Sequence, residues 1–263
     1  MTVPVTDARH RLRVRGVGKR YGSLQVLDGL ELDVRPGEFA AVVGPSGAGK
    51  STLFNLVAGL EKPTEGAILV DGEAPRTRSG RVAHMPQRDL LYPWRTVLDN
   101  TALGLEAEGV RRAEARRRAA ELFVPFGLDG FQGSYPGQLS GGMRQRAALL
   151  RTVVLGRPLL LLDEPFGALD SLTRTEMQHW LAGMQERYRW TVVLVTHDIR
   201  EAVLLADTVH VLSPRPARVV DRIEVHATGA EDGVGPRGLD PVAAARLEDR
   251  VLRALSAAPA GAA

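Results

Sequence analysis

The sequence predicts an α/β fold in which a mostly parallel β-sheet is covered by helices on both faces. Continuous apolar runs alternate with helical segments: "EFAAVVG" at 38–44, "PLLLLDEP" at 158–165 and "WTVVLVTHD" at 190–198. Such runs are typical of strands buried on both faces, because the helical connections of a parallel sheet pack on either side of it. The 263 residues, 44% hydrophobic and 25% charged, are those of an ordinary globular chain of one or two domains.

The remaining elements follow in order along the chain. Near the N-terminus, the alternating segments "LRVRGV" and "LELDV" predict short strands. After the first apolar run, "STLFNLVAGL" predicts a helix, and "PTEGAILVDG" predicts a turn followed by a strand. From about residue 97 to residue 138 the pattern is helical, with "RRAEARRRAAELFVPFGL" at 111–128 as its longest element. "DTVHVLS" predicts a further strand, and the Gly-, Ala- and Pro-rich tail contains one predicted helix, "DPVAAARLEDRVLRAL" at 240–255.

Composition excludes several classes of function. The chain has no cysteine, which excludes a disulfide scaffold, a thiolate zinc site and a catalytic cysteine. We find neither an apolar run long enough to span a bilayer nor a signal peptide, so we expect a cytoplasmic protein. The net charge of +3 does not require a nucleic-acid partner, and none is expected. The densest basic stretch, at 111–120, favours a solvated helix face over contact with nucleic acid or lipid headgroups.

One glycine-rich segment predicts a phosphate site. "GPSGAGKST" at 44–52 fits the pattern G-x-x-x-x-G-K-[ST] between an apolar strand and a helix. The glycines allow backbone amides to surround a phosphate, and the helix N-terminus adds partial positive charge. Lys50 can reach the β- and γ-phosphates, and the Ser51 hydroxyl can ligate magnesium. Because every position of the pattern is satisfied, a plain strand–helix turn is the weaker interpretation. The predicted nucleotide-binding residues here are Gly44, Pro45, Ser46, Gly47, Ala48, Gly49, Lys50, Ser51 and Thr52.

Two acids at a later strand end predict the catalytic partner of this loop. Asp163 ends an apolar strand, where its carboxylate can hold magnesium directly or through water. Glu164 follows, and it can orient or deprotonate an attacking water. His197 ends the next apolar strand, so we expect it beside the acids and in contact with the γ-phosphate. Gln87 lies in a loop and can reach the metal or the water. Without the phosphate loop, a helix cap would be the default interpretation of the two acids.

A second anion acceptor lies in the helical segment. "LSGGMRQR" at 139–146 places a serine and two glycines at the start of a helix, a position suited to an anion. The chain has one phosphate loop and one acidic strand end, and hence binds one nucleotide. We therefore expect "LSGG" to complete the nucleotide site of a second copy. Two chains, head to tail, would enclose two ATP molecules.

Together these motifs resemble those of the ATP-binding subunits of ABC transporters, over roughly residues 12–241. The matching features are "GPSGAGKST", the glutamine loop at Gln87, "LSGGMRQR", "LLLLDEP", the "ALD" turn ending at Asp170, and His197. The resemblance implies a P-loop NTPase core with an N-terminal antiparallel β subdomain. It also implies a helical subdomain at about 88–150 that carries the signature "LSGGMRQR", and a C-terminal helix and tail at 242–263.

The resemblance also implies roles for further residues. Tyr21, in "KRYGSLQVL", would stack on adenine. Asp170 would belong to the nucleotide site. The signature residues that would contact the γ-phosphate of the partner's ATP are Ser140, Gly141 and Gly142. Met143 replaces the glutamine common after the two glycines, a variant frequent among importers.

The segment "RDLLYPWRTVLDNTALGLE" at 88–106 narrows the resemblance. A proline–tryptophan pair here is similar to the nitrate, sulfonate and taurine importers, and to relatives that import thiamine-precursor pyrimidines or riboflavin. This implies a peripheral ATPase on the cytoplasmic face of the membrane, bound to permease subunits and indirectly to a solute-binding protein. The alternative is a soluble ABC ATPase acting on ribosomes or nucleic acid, but such proteins usually have two cassettes or long coiled-coil insertions.

Four large apolar side chains in the same segment predict a docking surface for a permease helix. They are Leu90, Leu91, Tyr92 and Trp94, within a loop that we expect to be exposed. The alternative is that these side chains cover the core of the protein itself.

Overall fold

The computed structural model describes residues 10–74, 80–226 and 233–257. A six-stranded sheet forms the centre, in the order β5-β6-β7-β3-β8-β9. The first five of these strands are parallel, and β9 pairs antiparallel with β8 at one edge. The predicted, mostly parallel sheet is therefore confirmed. Its strands are β3 (Phe39–Val43), β5 (Val82–Met85), β6 (Leu159–Asp163), β7 (Thr191–Thr196), β8 (Thr208–Leu212) and β9 (Val219–Glu224).

Both faces of this sheet are buried, as the continuous apolar runs predicted. Successive side chains of a strand point to opposite faces. On β3, Phe39 and Ala41 join one hydrophobic cluster, which contains most of the helices. Ala40 and Val42 join a second cluster, which lies between the central sheet and a smaller sheet. Each face thus needs its own cover, and the sequence provides helices for one and strands with a helix for the other.

The smaller sheet is three-stranded and antiparallel, in the order β2-β1-β4. Its strands are β1 (Leu12–Tyr21), β2 (Leu24–Val34) and β4 (Glu65–Val70). On β2, the alternating Leu30, Leu32 and Val34 are buried against the second cluster. A tight turn containing Gly22, with φ of 59°, joins β1 to β2. The expected N-terminal antiparallel arrangement is therefore present.

The helices follow the strands as expected for an α/β chain. They are α1 (Lys50–Val57), α2 (Val97–Ala107), α3 (Arg112–Ala120), α4 (Gly141–Val153), α5 (Ser171–Tyr188), α6 (Ile199–Leu205) and α7 (Pro241–Ala257). The helices α2 and α3 and a short 3₁₀ helix at Pro136–Gln138 lie in the segment 97–138 that was predicted to be helical, and α4 begins at the signature, as expected. Among the described residues, no helix is both long and apolar enough to cross a membrane.

The prediction that 111–128 forms the longest helix of this segment is wrong. The helix α3 ends at Ala120, and turns follow it. Pro125 has no amide hydrogen for a helical bond, and Gly127 adopts a φ of 62°. Phe123 and Phe126 are fully buried, so the chain leaves the helix to bring both rings into the core.

The arginines of α3 are engaged in surface ion pairs. Arg117 and Arg118 both contact Glu114, and Arg112 and Arg116 contact Asp99 at the start of α2. These contacts support the solvated-face interpretation of the basic stretch, because its charges are matched within the chain.

The C-terminal helix α7 packs on the core through its buried Ala244 and Val251. It contacts α6, β8 and β9. Arg250, on the exposed side of α7, donates two hydrogen bonds to Asp221 of β9, at 2.9 and 2.8 Å. The rest of the predicted tail, at 227–232 and 258–263, lies outside the described residues.

One ionisable side chain is buried in the central sheet without a hydrogen-bond partner. His210 of β8 is 1% exposed, and neither of its ring nitrogens has a partner among the described residues. Burial, followed by the positive charge of Arg222 on β9, lowers the pKa of His210 to about 4. The histidine is therefore neutral in the folded state at pH 7. The unfolded chain binds a proton at this residue more readily than the folded chain does.

We expect acid to destabilise the fold through His210. As the pH falls from the unfolded pKa near 6.5 to the folded pKa, the free energy of unfolding decreases, by up to ~3 kcal/mol. His210→Leu removes the group, so its free energy of unfolding should vary less over this range. Urea denaturation at several pH values from 7 to 4 measures this. The matched control is His226→Gln at an exposed histidine, which should follow the wild type. Equal pH slopes for His210→Leu and the wild type would contradict the prediction.

Candidate nucleotide site

The phosphate loop joins β3 to α1 at the carboxyl end of the central sheet. Gly47 and Gly49 have φ of 77° and 108°, a region that L side chains rarely adopt. Lys50 begins α1, and its side chain turns back into the loop. Its Nζ donates to the Gly44 carbonyl at 2.7 Å and to the Pro45 carbonyl at 3.0 Å. The ammonium group thus lies inside the loop that is predicted to hold phosphates.

The loop is packed too closely for larger residues at two of its glycines. A Cβ on Gly49 would lie 2.8 Å from Cγ1 of Val26 on β2. A Cβ on Gly44 would lie 3.0 Å from Cβ of Leu212 on β8. Both contacts are shorter than side chains normally tolerate, so the loop keeps its shape only with glycine at these positions. The smaller sheet and the central sheet together support the loop.

A cleft of about 440 Å³ lies over this loop. It includes Tyr21, six phosphate-loop residues and Glu164 from the acidic strand end, so it unites three predicted parts of the site. Its lining residues are Tyr21, Leu24, Val26, Ser46, Gly47, Gly49, Lys50, Ser51, Thr52, Glu164 and Arg215. An equally large cavity lies by Glu38, Asp207 and Glu224, but these three carboxylates disfavour a phosphate ligand.

Tyr21 lies at one side of the cleft, and its side chain is held in place by two neighbours. Its hydroxyl donates to Oε2 of Glu61 at 2.5 Å, and Lys19 Nζ lies 4.8 Å from the ring centroid. The hydrogen bond from Tyr21, followed by that from Lys19, lowers the pKa of Glu61 to about 2. The ring is 44% exposed, as a ring that stacks on adenine needs to be.

Glu164 contacts polar side chains that follow the two neighbouring strands. It follows the last residue of β6, and its φ of 45° turns the chain sharply there. Nε2 of Gln87, which follows β5, donates to Oε2 of Glu164 at 2.9 Å. Nδ1 of His197, which follows β7, lies 3.2 Å from the same oxygen. The structure therefore brings together the three residues that the sequence analysis predicted to be catalytic.

Asp163 and Lys50 form the charged part of the site. Asp163 is half-buried at the end of β6, and burial raises its pKa, while the positive charge of Lys50 lowers it. Burial lowers the pKa of Lys50, and the charges of Glu164 and Asp163 raise it. Lys50 and Asp163 thus each favour the charged form of the other, against the effect of burial. The hydroxyl of Ser51 and the carboxylate of Asp163 are the hard oxygen donors that suit magnesium.

The signature residues and Asp170 lie at the N-termini of two neighbouring helices, α4 and α5. Ser140 caps α4, with its Oγ accepting from the Met143 amide at 3.2 Å. Asp170 caps α5 by accepting from the Thr173 amide at 3.1 Å, and hydrogen bonds from Thr173 lower the pKa of Asp170. A Cβ on Gly142 would lie 2.9 Å from Cγ2 of Thr173, so the two helix starts are in close contact.

These signature residues do not line the cleft of their own chain. The described residues that line this cleft do not include Ser140, Gly141, Gly142 or Asp170. The second anion acceptor is therefore separate from the phosphate loop within one chain.

The structure adds Arg215 to the cleft, a residue that the sequence analysis did not identify. It follows β8, far along the chain from the phosphate loop, and belongs to no spacing pattern that involves phosphate. Only the pairing of β3 with β8 brings it to the loop. Leu24 and Val26 of β2 also line the cleft, and the sequence analysis did not identify them because their apolar character alone predicts only packing.

The sequence profile of the ABC transporter family matches residues 27–167, which include the phosphate loop, the signature and the acidic strand end. The chain belongs to the ABC transporter family. Members of this family bind and hydrolyse ATP, so the chain is an ATP-binding protein and an ATPase.

Several relatives are import proteins. The formylaminopyrimidine import ATP-binding protein ThiZ of Halalkalibacterium halodurans is 46% identical over 77% of this chain and 79% of its own. The aliphatic sulfonates import ATP-binding protein SsuB of Cupriavidus pinatubonensis is 44% identical over 92% of this chain and 76% of its own. The taurine import ATP-binding protein TauB of Rhizobium johnstonii is 44% identical over 78% of this chain and 79% of its own.

Solved structures have the same fold. A bacterial ABC transporter cassette, solved as a dimer, has a TM-score of 0.71 and 31% identity, over 82% of this chain and 99% of its own. The protein cbiO1 of Clostridium perfringens, described as part of the transporter complex cbiONQ, has a TM-score of 0.74 and 26% identity, over 82% of this chain and 89% of its own. The predicted α/β, P-loop NTPase fold class is thereby confirmed.

We expect Lys50→Ala to lose nearly all ATP turnover while the chain stays folded. The change removes a positive charge from the phosphate loop, and charges that stabilise a transition state are typically worth about 10²–10³ in rate. A phosphate-release assay and thermal melting measure the two properties. Lys62→Ala, at an exposed lysine outside the cleft, is the matched control and should retain full activity. A folded Lys50→Ala protein with normal turnover would refute the assignment of the loop.

Proposed function

We propose that this chain is the ATP-hydrolysing subunit of a membrane importer for a small solute. The observation that carries the proposal is the convergence of Gln87, Glu164 and His197 beside the phosphate loop. A nucleotide-binding protein without hydrolysis needs only the loop, whereas this arrangement places a carboxylate with two polar supports next to it. Three of the relatives are named as import proteins, so we infer that ATP hydrolysis by this chain also drives import.

Each residue of the proposed site has a chemical role. Lys50 and the amides of the phosphate loop bind the β- and γ-phosphates and neutralise their charge. Glu164 orients the attacking water and accepts its proton. Gln87 and His197 hold the carboxylate of Glu164 through its Oε2, and from there both can reach the water or the γ-phosphate. Tyr21 stacks on the adenine ring.

Magnesium is the cofactor that the oxygen donors of this site fit. Ser51 and Asp163, with Gln87, would hold the ion. When bound, the ion neutralises negative charge on the β- and γ-phosphates. The partial burial of Asp163 favours this role, because a nearby cation restores the ionised carboxylate that burial disfavours.

We further propose that two copies form the complete ATP site. The signature serine and glycines lie outside the cleft of their own chain, at a capped helix N-terminus that suits an anion. A head-to-tail dimer would place Ser140, Gly141 and Gly142 of one copy against the γ-phosphate bound by the other, with Asp170 beside them. The dimeric form of the similar bacterial cassette supports this arrangement.

We expect Glu164→Gln to accumulate as an ATP-bound dimer. The amide keeps the shape of the side chain but cannot act as a base, so ATP stays bound between the two copies. Size-exclusion chromatography with light scattering should give a monomer without nucleotide and a dimer with ATP. Adding Ser140→Arg should abolish the dimer, because the larger side chain blocks the start of α4.

Two outcomes would contradict the shared site. One is a Glu164→Gln protein that stays monomeric at saturating ATP, although calorimetry shows that it binds ATP. The other, more damaging, is a dimer that survives Ser140→Arg. Leu172→Arg, an exposed position in α5 outside the signature, tests whether any new arginine near this surface has the same effect.

The proposed permease-docking surface is the loop at 88–94. Leu91 is only 8% exposed and packs in the core, so the prediction that it belongs to the docking surface is wrong. Leu90, Tyr92 and Trp94 are 55%, 41% and 72% exposed. The rings of Tyr92 and Trp94 stack at 5.2 Å, which presents a continuous apolar surface.

This loop is rigidly held, which favours recognition over disorder. Asn100 of α2 is fully buried, and its side chain accepts from the Tyr92 amide at 2.7 Å and donates to the Tyr92 carbonyl at 3.1 Å. Arg151 of α4 donates to the carbonyls of Leu90 and Asp89, at 2.7 and 2.6 Å. An exposed aromatic pair on an ordered backbone loses little conformational entropy on binding.

We expect the double substitution Tyr92→Ser and Trp94→Ser to abolish transport by the whole complex and leave the isolated subunit intact. Its basal ATPase activity and melting temperature should persist, because neither ring is buried in the core. Leu91→Ser, in the same loop, is the contrasting variant and should lower the melting temperature. If the melting temperature of the double variant also decreased, these rings would belong to the core of the protein.

The solute would be similar to those of the relatives: a nitrate-, sulfonate- or taurine-like anion, or a pyrimidine or vitamin precursor. It would contact the permease and a solute-binding protein, and this subunit would lie peripherally on the cytoplasmic face of the membrane. The relatives do not favour the alternative, a soluble ABC ATPase acting on ribosomes or nucleic acid. Isolation of the native complex distinguishes the two: a permease supports import, and ribosomal proteins would refute it.

A further inference from the structure

Arg215 holds the phosphate loop from outside. Its Nε and Nη2 both donate to the carbonyl oxygen of Gly47, at 3.0 and 2.8 Å. Arg215 is also one of the residues that line the cleft. A Cβ on Gly47 would lie 3.1 Å from Nη2 of Arg215, so the guanidinium lies directly against this part of the loop.

The loop that carries Arg215 joins β8 to β9 and is closed by its own hydrogen bonds. The Ser213 amide donates to the Arg218 carbonyl at 2.9 Å, and the Arg218 amide donates to Oγ of Ser213 at 3.0 Å. Pro214 and Pro216 flank Arg215, and each restricts the backbone. Arg215 therefore extends from a fixed support.

This loop is also attached to the smaller sheet. The Ala217 amide donates to the Val26 carbonyl of β2 at 2.9 Å, and the Asp28 amide donates to the Ala217 carbonyl at 3.1 Å. Val26 is the residue against which Gly49 packs. The phosphate loop, β2 and the Arg215 loop thus form one contiguous support.

The contact with Arg215 fixes the direction of one loop amide. The Gly47–Ala48 peptide is trans, so the Gly47 carbonyl and the Ala48 N–H point in opposite directions. The Ala48 N–H donates to the Pro45 carbonyl at 3.2 Å, and Lys50 Nζ donates to the same carbonyl from inside the loop. With the Gly47 carbonyl held by Arg215, the Ala48 N–H is kept in its hydrogen bond to Pro45, which closes this turn of the loop. Gly47 itself has no side chain to restrict this peptide.

We propose that Arg215 is a positioning residue of the nucleotide site, which fixes the orientation of the Gly47–Ala48 peptide and thereby the shape of the phosphate loop around the phosphates. The proposal rests on ATP binding by the phosphate loop. It makes a specific claim about affinity: ATP and ADP both present the α- and β-phosphates that such a loop surrounds, so both lose the same factor when Arg215 is removed. Turnover at saturating ATP is unchanged, because Arg215 does not contact Gln87, Glu164 or His197.

The experiment is isothermal titration calorimetry of Arg215→Ala with ADP, and with ATP in EDTA to prevent hydrolysis. The Kd of both nucleotides should rise by the same factor, about five- to tenfold, as for loss of a charged hydrogen bond at a partly exposed site. In steady-state assays of Arg215→Ala, the KM for ATP should rise and kcat should remain unchanged. The matched control is Arg218→Ala, an exposed arginine of the same loop whose guanidinium pairs with Asp28. Its Kd values should equal those of the wild type.

A second series separates orientation from simple charge attraction. A charge at the mouth of the cleft would favour ATP over ADP, and its effect would vanish at about 0.5 M salt, where the Debye length is only a few Å. Orientation predicts that the ratio of Kd values persists at that salt concentration. Arg215→Lys keeps the charge but loses the two-donor fork, so its Kd should remain above that of the wild type.

Three results would overturn the proposal: unchanged affinity in Arg215→Ala, a loss that disappears in salt, or full affinity in Arg215→Lys. Failure of the wild type to bind ATP would instead refute the proposed function, so the two are distinguishable. The Arg215→Lys protein also controls for folding, because it preserves the charge and length of an exposed side chain.

Discussion

The parallel alignment of β5, β6, β7 and β3 is the constraint on which the whole site depends. Parallel strands end at the same edge of a sheet, so the residues that follow them meet there. In this chain the residues that follow these strands are Gln87, Glu164, His197 and the phosphate loop. No single pair of them is close in sequence. Their contacts exist because the strands pair in a fixed parallel register, which the burial of β3, β6 and β7 on both faces supports.

The electrostatics of the site follow from this edge. Burial of Lys50 in the phosphate loop lowers its pKa, and the negative charges of Glu164 and Asp163 act in the opposite direction. Asp163 is in the converse situation, since burial raises its pKa and Lys50 lowers it. A cationic loop beside two carboxylates suits a triphosphate with a divalent ion, because the acids bind the cation and the loop binds the anion. Neither half would be stable in a buried site without the other.

The smaller sheet has a role beyond covering one face of the core. It supplies Val26, against which Gly49 packs, and it holds the loop that carries Arg215. It also places Tyr21 at the cleft, where the ring is held by Glu61. The cleft therefore lies between two sheets, and the antiparallel strands supply both Tyr21 at one side of it and the outer wall of the phosphate loop.

The sequence by itself determined the buried strands, the phosphate loop and the signature, because each depends on local composition and fixed spacing. It predicted that Glu164 and His197 lie together, since strand ends of a parallel sheet must meet. It placed Gln87 only in a loop within reach of the metal or the water. It did not determine the end of α3 at Ala120, which depends on where the rings of Phe123 and Phe126 find room in the core. For the same reason only the tertiary structure separated the buried Leu91 from the exposed Trp94 of one loop. The contact of Arg215 with the phosphate loop was also visible only in the tertiary structure. A contact across 168 positions has no local sequence pattern and depends on how β8 lies against β3.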